Sequence, residues 1–496
     1  MRRFSKPAGF PVAMFLIAAI WIVASGSTCS AADHFLTIGG GYSPSGNQAS
    51  IERNVLFFQR VLSDKQPGAA HTILFSDGNG KQKDVQVIDR DSVPLANRLM
   101  ADFFGDRSDL GLTYRNHEID NVSSSTSPTN IRKWFKGTGS KMKSGDRLFL
   151  YVTAHGSSSE ERNEPYQTSI SLWGRQKISV KELSELMDAL PEGVSVVTVM
   201  VQCHAGGFAR AIYEAGDDDK GFHDQSRVGF FATVHDRPAA GCTSDADEST
   251  YVEYSTFFWE ALSGKSRLGE SIDPPDYNKD GSVSFEEAHA YTIIQSNTID
   301  LPIKTSGELL GVESGFRDRQ HPDLLPRDTP FSKILEQATE SEREILTALS
   351  KQLDLEGENR VLDADRMTSR RSRGRGRTSV SENRRKLETS RKKIAGSLRS
   401  RWPSLSNLLN PEVIELLTTE SEVFVRAVQE HPEYAHFCRL RDTVNDELSS
   451  TEKRVKYERF VRTAENVILR INLYKLDNKK TIAKYEAIVA NENGTL

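Results

Sequence analysis

An α/β fold with a mostly parallel sheet, followed by a helical C-terminal domain, is what this sequence predicts, and three observations carry the prediction. Short uncharged runs such as Leu148-Phe149-Leu150-Tyr151-Val152 and Val196-Val197-Thr198-Val199-Met200-Val201 alternate with segments of helical spacing. That is the pattern of buried parallel strands joined by crossover helices. Two of the runs lead into reactive side chains, His155 and Cys203, as happens where a site forms at the carboxyl ends of parallel strands. Beyond about Arg327 the strand signals stop and helical periodicity takes over.

Taken in order, Phe35 to Ile38 reads as a first strand broken by Gly39-Gly40-Gly41, and Ile51, Val55, Phe58 and Leu62 mark a helix. His71 to Phe75 is a second strand, stopped by Asp77-Gly78-Asn79-Gly80. A helical segment from Asn130 to Met142 precedes the histidine strand. Val180 to Leu190 is helical, and Pro191-Glu192-Gly193 turns the chain into the cysteine strand. Gly229 to Val234 is a further strand, followed by a helix through Phe257-Phe258-Trp259. In the C-terminal part Asn410-Pro411 supplies an N-cap and first-turn pair. Tyr457, Phe460, Val461, Ala464, Val467, Ile468 and Ile471 form one apolar helical face.

The 496 residues, 37% hydrophobic, suffice for two or three cores without help from disulfides. Arg2, Arg3 and Lys6 precede an apolar run from Pro11 to Ala24, and small residues follow to Ser30-Ala31-Ala32, the order of a secretory signal. The run is shorter than the roughly 20 residues that span a bilayer, so the expectation is export to the periplasm or outside the cell, with no stable membrane span, a retained anchor being the alternative. Residues 366 to 401 hold 14 Lys or Arg against 2 acids, Glu382 and Glu388, within a chain of net charge −5. The expected division is a signal over 1–32, a catalytic domain over 33–325, a linker over 326–402 that is basic and disordered from 366, and a helical domain over 403–496. Export argues against nucleic acid as the partner of the arginines. Of the cysteines, Cys203, Cys242 and Cys438 remain after the signal, and a bridge between Cys242 and Cys438 would tie the two halves.

A thiol attacks a carbonyl as thiolate, of which a free cysteine holds little at neutral pH. A neighbouring imidazole raises that fraction and protonates the leaving amine. Gly206-Gly207 after Cys203, and Gly156 after His155, would let main-chain N–H groups approach the developing oxyanion. Thr153-Ala154-His155-Gly156 and Gln202-Cys203-His204-Ala205-Gly206-Gly207 resemble the histidine and cysteine blocks of the caspase and legumain clan of cysteine peptidases, closest to metacaspases and bacterial legumain-like proteins. Gly39-Gly40-Gly41 and Asn47-Gln48-Ala49 are similar to the legumain start of the domain. The resemblance covers roughly Asp33 to Leu325. It implies a caspase-like sandwich, a His155–Cys203 dyad, an oxyanion hole from the Gly156 and Cys203 amides, and cleavage of a peptide or protein substrate with no cofactor in the cysteine chemistry. It also implies a helical tail that covers the cleft as an intramolecular inhibitor until the basic segment is cut. Departures bear on the substrate: Gly46 stands where legumains carry a pocket arginine, and neither Val201 nor Gln202 is the acid of metacaspases. Asp236 and the Glu160-Glu161 pair are either a pocket for a basic side chain or exposed loop acids.

Asp276 to Glu287 fits the twelve-residue calcium (EF-hand) pattern. Asp276, Asn278 and Asp280 would offer side-chain oxygens, Ser282 its carbonyl, Ser284 a water and Glu287 two oxygens. Pro274-Pro275 prevents a regular preceding helix, so a single loop-and-helix site is expected. Three functions follow: an exported cysteine endopeptidase, a transamidase or peptide ligase on the same fold, and an inactive relative that binds calcium or a partner.

Overall fold

A computed structural model describes Met1 and residues 31–105, 107, 110–314, 323–368, 377–446 and 450–496. The strands are β1 (Asp33–Gly40), β2 (Ala70–Phe75), β3 (Val85–Ile88), β4 (Leu112–Arg115), β5 (Val122–Ser124), β6 (Arg147–Ser157), β7 (Ser169–Leu172), β8 (Gln176–Ser179), β9 (Ser195–Met200), β10 (Arg227–Phe231) and β11 (Ile303–Lys304). The helices of the first part are α1 (Ala49–Lys65), α2 (Leu95–Phe104), α3 (Pro128–Gly137), α4 (Val180–Asp188), α5 (Tyr254–Ser263), α6 (Phe285–Gln295) and α7 (Thr305–Glu313). Nine more follow among the described residues: α8 (Phe331–Gln337), α9 (Glu340–Gln352), α10 (Arg360–Thr368), α11 (Arg377–Arg401), α12 (Pro411–Leu417), α13 (Ser421–Gln429), α14 (Tyr434–Asp446), α15 (Ser450–Leu476) and α16 (Lys479–Glu492).

The main sheet runs β11-β10-β9-β6-β1-β2-β5, parallel from β10 to β5, with β11 antiparallel at one edge. Along β6 alternate side chains point to opposite faces. Leu148, Leu150 and Val152 pack with α3 and α4 through Ile131, Trp134 and Leu183. Phe149 and Tyr151 pack with α1, α5 and α6 through Phe58, Trp259 and Phe285. The continuous apolar run is therefore a strand covered on both faces, the α/β layering that the sequence predicts. Local caps fix the helices: Ser127 accepts from the Asn130 N–H ahead of Pro128, and Ser179 and Glu182 form a reciprocal capping box at α4.

The C-terminal half differs from the expected linker and separate domain. Residues 326–368 carry α8 to α10, which bury Phe331, Ile334, Leu346, Leu349 and Val361 against Ile293 and Ile294 of α6 and against α15. The basic stretch forms α11 from 377 onward, while residues 369–376 lie outside the described residues, as does all of the expected signal except Met1, Ala31 and Ala32. Helices α11 to α14 make their own core on α2, with Ile394, Leu398, Val413, Leu416, Phe424 and Val428 around Leu99 and Phe103. The last two helices instead enter the core beneath the main sheet, through Leu469, Leu473, Tyr485 and Ile488 beside Phe149 and Phe285. Among the described residues no helix is long and apolar enough to cross a membrane.

Phe58 tests this packing. Its fully buried ring lies 4.4 Å from Trp259, 5.0 Å from Tyr151 and 5.9 Å from Phe149 between centroids. Phe58→Ala is expected to cost about 3–5 kcal/mol, read as a lower urea midpoint at unchanged slope.

Candidate active site

The site begins with strand register. β6 and β9 pair in parallel up to Val152 opposite Met200, so His155 and Cys203 each lie three residues beyond the last matched pair. Both leave the sheet at the same edge. The two chains then touch: a Cβ on Gly156 would stand 1.9 Å from the Cys203 carbonyl oxygen, an approach that only glycine permits. Beyond the sheet, β6 bends into an antiparallel pairing with β7, which aligns His155 with Ser171 and Gly156 with Ile170.

The loop after β1 orients the imidazole. Gly40 takes φ +99°, and a Cβ on Gly41 would fall 1.8 Å from the Gly46 carbonyl, so the glycine run folds back tightly. Buried Asn47 locks that fold: its Oδ1 accepts from the Gly41 N–H at 2.9 Å, and its Nδ2 donates to Ser76 Oγ and the Asp84 carbonyl at 2.6 and 2.8 Å. The loop thereby presents the Gly46 carbonyl and Gln48 Oε1 to His155 Nε2 at 2.8 and 2.9 Å. A carbonyl only accepts, so Nε2 carries the proton and Nδ1 is a free base. Tyr42 packs edge-on against the ring at 5.3 Å. Burial holds the His155 pKa below the usual histidine value, against the opposing pull of the Gly46 carbonyl, so the ring is neutral near pH 7. A Cβ on Gly46 would meet the Tyr42 ring at 2.6 Å.

Cys203 sits at an elbow, since His204 adopts φ +59°, ψ +19°. That left-handed residue is held by its N–H to the Arg237 carbonyl at 2.9 Å, by its own carbonyl accepting from Thr168 Oγ1 at 3.0 Å, and by its Nδ1 at 2.8 Å from the His235 carbonyl. Gly206 and Gly207 serve close packing. Cβ atoms there would lie 2.7 Å from Val234 Cα and 2.3 Å from Thr168 Oγ1. The Cys203 N–H takes no main-chain carbonyl partner among the described residues.

The sulfur and the imidazole are not bonded to each other. Cys203 Sγ accepts from the Ala239 N–H at 3.2 Å and lies 3.7 Å from the Ala239 carbonyl. Burial pushes this thiol up, the Ala239 N–H opposes it, and the Asp300 carboxylate adds to the upward push. His155 Nδ1 faces Cys242 Sγ instead, at 3.6 Å. A nitrogen of His155 and the two sulfurs do not come within 4.8 Å of one another as a set. Ala239 and Cys242 belong to one loop that passes over both groups and then docks beyond them. The Ser50 N–H donates to the Thr243 carbonyl at 3.0 Å, Ser50 Oγ donates to the Gly241 carbonyl at 2.5 Å, and the Ile88 N–H donates to the Ser244 carbonyl at 2.6 Å. Cys203, Cys242 and Cys438 are all free. The Cys242–Cys438 bridge is absent because Cys438 belongs to the core between α2 and α11–α14.

Asp236, Glu160 and Glu161 are exposed, and Glu160 pairs with Lys177, so they line no enclosed pocket. The placement of His155 and Cys203 at one sheet edge was legible from their two blocks. Gly46, Gln48, Ala239, Cys242 and Asp300 were not, since each reaches the site from a loop whose path the sequence does not disclose.

The calcium-pattern loop has its turn in place. Asp276 accepts from the N–H groups of Asp280 and Gly281, Asn278 Oδ1 accepts from Asp280, and Asp280 Oδ1 accepts from Ser282, all at 2.9–3.0 Å, with Gly281 at φ +91°. α6 follows directly, and no regular helix precedes the loop. Glu287, however, is spent within the loop. Its Oε1 accepts from Tyr277 and Asn278, its Oε2 from the Ser284 N–H and Oγ, and Asp276, Asp280 and Glu287 do not bring three oxygens within 4.8 Å. The donor set suits calcium once Glu287 exchanges those partners. Asp188, Glu214 and His223 do converge. Arg227 stands 2.7 Å from Asp188, and His223 Nδ1 accepts from the Gln225 N–H, which leaves a protonated Nε2 facing the acids. A cation and an N–H already occupy the space between those acids.

The chain matches no protein-family model and no curated protein. Among solved structures, a structural-genomics protein from Geobacter sulfurreducens aligns with a TM-score of 0.34 and 10% identity, over 55% of this chain and 92% of that one.

Freeing Nδ1 tests the geometry. Cys242→Ala is expected to raise the iodoacetamide alkylation rate of Cys203, followed by peptide mass spectrometry, by about tenfold for each unit by which the thiol pKa falls. An unchanged rate would mean that Cys242 does not separate the pair.

Proposed function

We propose that the chain is a cysteine endopeptidase in which Cys203 is the nucleophile and His155 the proton carrier. The observation that carries this reading is the shared offset of the two residues beyond the paired ends of β6 and β9, with Gly156 seated against the Cys203 main chain. The likeness of the two sequence blocks to the caspase and legumain clan supports it. So does the tautomer of His155, whose anchored Nε2 leaves Nδ1 as the base.

In this scheme the loop over the site shifts, Cys242 leaves Nδ1, and Cys203 turns toward it. Nδ1 takes the thiol proton as Sγ attacks the scissile carbonyl carbon. The oxyanion is met by the Cys203 and Gly156 N–H groups, each such donor contributing on the order of 3 kcal/mol. Collapse breaks the C–N bond, and the imidazolium returns its proton to the leaving amine. Water, deprotonated by Nδ1, then hydrolyses the thioester and restores the thiol. Export, and calcium as a stabiliser of the loop before α6, belong to the same proposal; no step of the cysteine chemistry runs through calcium.

Cleavage of a peptide library by the full chain tests this. Wild type is expected to cut and Cys203→Ala to lose at least about 10³-fold in rate, with Cys242→Ala as active as wild type or more so. The interposed Cys242 favours a second reading, a catalytically silent binding protein. Absence of cleavage by both wild type and Cys242→Ala, with Cys203 still unreactive, selects it. For the loop, calcium at 100 times its Kd is expected to add about 2.7 kcal/mol of stability, seen as a higher Tm, and Glu287→Gln to abolish the rise.

A further inference from the structure

Residues Glu458 and Arg459 of α15 lie far along the chain from the cysteine, yet both end in contacts that fix its surroundings. Cys203 Sγ is gripped by the N–H and carbonyl of Ala239. The next residue is fixed in turn, since the Ala240 N–H donates to Asp300 Oδ1 at 2.6 Å, from a carboxylate that is 1% exposed. Asp300 ends a short irregular segment after α6 that has no sheet or helix to hold it. Its restraint comes from Arg459, 2% exposed, four of whose five hydrogen bonds run to that segment and the fifth to the last turn of α6 just before it. Nε donates to the Asp300 carbonyl at 2.8 Å, Nη1 to the Ile293 and Ser296 carbonyls at 3.2 and 2.6 Å, and Nη2 to the Thr298 carbonyl and Oγ1 at 3.2 and 3.3 Å. One residue earlier, Glu458 pairs with Arg237, whose carbonyl accepts from His204, the residue after the nucleophile. Adjacent residues of one helix thus hold both flanks of the 237–240 segment.

A helix that only covered this surface would pack more cheaply with an apolar side chain, because burying a guanidinium is costly unless every donor is used. Arginine is the side chain whose rigid fork satisfies several carbonyls at once.

We propose that Asp300 and Arg459 are positioning residues for Cys203, and that α15 is a permanent wall of the cysteine site and not a removable cover. This deepens the peptidase reading and rests on it only for what Cys203 does. Arg459 shapes the 293–300 segment, the segment places Asp300, and Asp300 sets the Ala239-Ala240 main chain against the sulfur. The helices that could still move as a unit without opening this site are α11 to α14, whose core lies on α2.

The test is amide hydrogen exchange on the full chain without substrate, comparing Asp300→Ala, Asp300→Asn and Arg459→Lys with wild type. Asp300→Ala removes the acceptor of the Ala240 N–H, whereas Asp300→Asn keeps an oxygen there. Arg459→Lys keeps the charge but cannot reach all the carbonyls. The expected result is that protection of residues 237–242 falls by about tenfold or more in Asp300→Ala and Arg459→Lys, that β6 and β9 amides keep theirs, and that Asp300→Asn retains most of the wild-type protection. Wild-type protection of 237–242 in folded Asp300→Ala would overturn the proposal, as would equal loss in Asp300→Asn. Should Arg459→Lys fail to fold, the Asp300 pair decides the matter. Because no substrate is used, absence of peptidase activity in every form would sink the enzymatic reading and leave this result standing.

Discussion

The register between β6 and β9 is the constraint on which the rest depends. Because side chains alternate along a strand, a slip of one residue would turn Leu148, Leu150 and Val152 from the α3–α4 face to the α1–α5 face and exchange them with Phe149 and Tyr151. Both faces are filled by side chains of specific size, so the slip would cost much of the core. The same slip would carry His155 away from its level beside Cys203. Packing in the sheet therefore fixes, from a distance, which reactive groups meet at the edge. Gly156 closes the arrangement, since any side chain there would drive the two strand ends apart.

Given that edge, the arrangement of the three polar groups is a competition for one lone pair. Nε2 of His155 is committed to Gly46 and Gln48, which leaves Nδ1 as the only base the ring can offer. Cys242 holds it in this structure, and in the proposed mechanism Cys203 must displace that thiol. The loop's ties to Ser50 and Ile88 keep Cys242 on Nδ1, while Ala239 keeps Cys203 aside. Burial of the imidazole lowers its basicity and burial of Cys203 raises its thiol pKa, so in this conformation proton transfer between them is unfavourable as well as out of reach. In the proposed mechanism, movement of that loop relieves both.

How much of this could be read beforehand follows from range. Continuous apolar runs and 3-and-4 spacing are local signals, and they located β1, β2, β6, β9, β10, α1, α4, α5 and the buried stripe of α15. Strands β3, β4, β5, β7, β8 and β11 are two to four residues long and partly polar, and they exist because neighbouring main chain has hydrogen bonds to offer, which no local window records. The loop through Cys242 was invisible for the same reason. Arginine density across 366–401 signals solvation, yet from 377 the charges ride one long helix, α11, whose apolar residues Ile394, Ala395 and Leu398 are too sparse to mark it. Tertiary packing decided that segment over composition.

The C-terminal half is better described by which core each helix shares than by its position in the chain. Leu469, Leu473, Tyr485 and Ile488 lie in the same cluster as Phe149 and Trp259, and Glu492, fully buried, accepts from the Ser306 N–H and Oγ at the start of α7 at 2.8 and 2.7 Å. Removing helices that make such contacts would expose apolar surface worth about 25 cal/mol per Å² and strand a lysine, Lys304, that pairs with both Glu286 and Glu492. Loss on that scale unfolds a domain of ordinary stability and does not merely uncover a cleft. Helices α11 to α14 touch the remainder chiefly through α2, where Phe437 meets Phe103 at 5.0 Å and Arg391 donates to the Asp102 carbonyl at 2.7 Å. Any detachable function in this half must therefore belong to α11–α14, whose core lies on α2 and not beneath the main sheet.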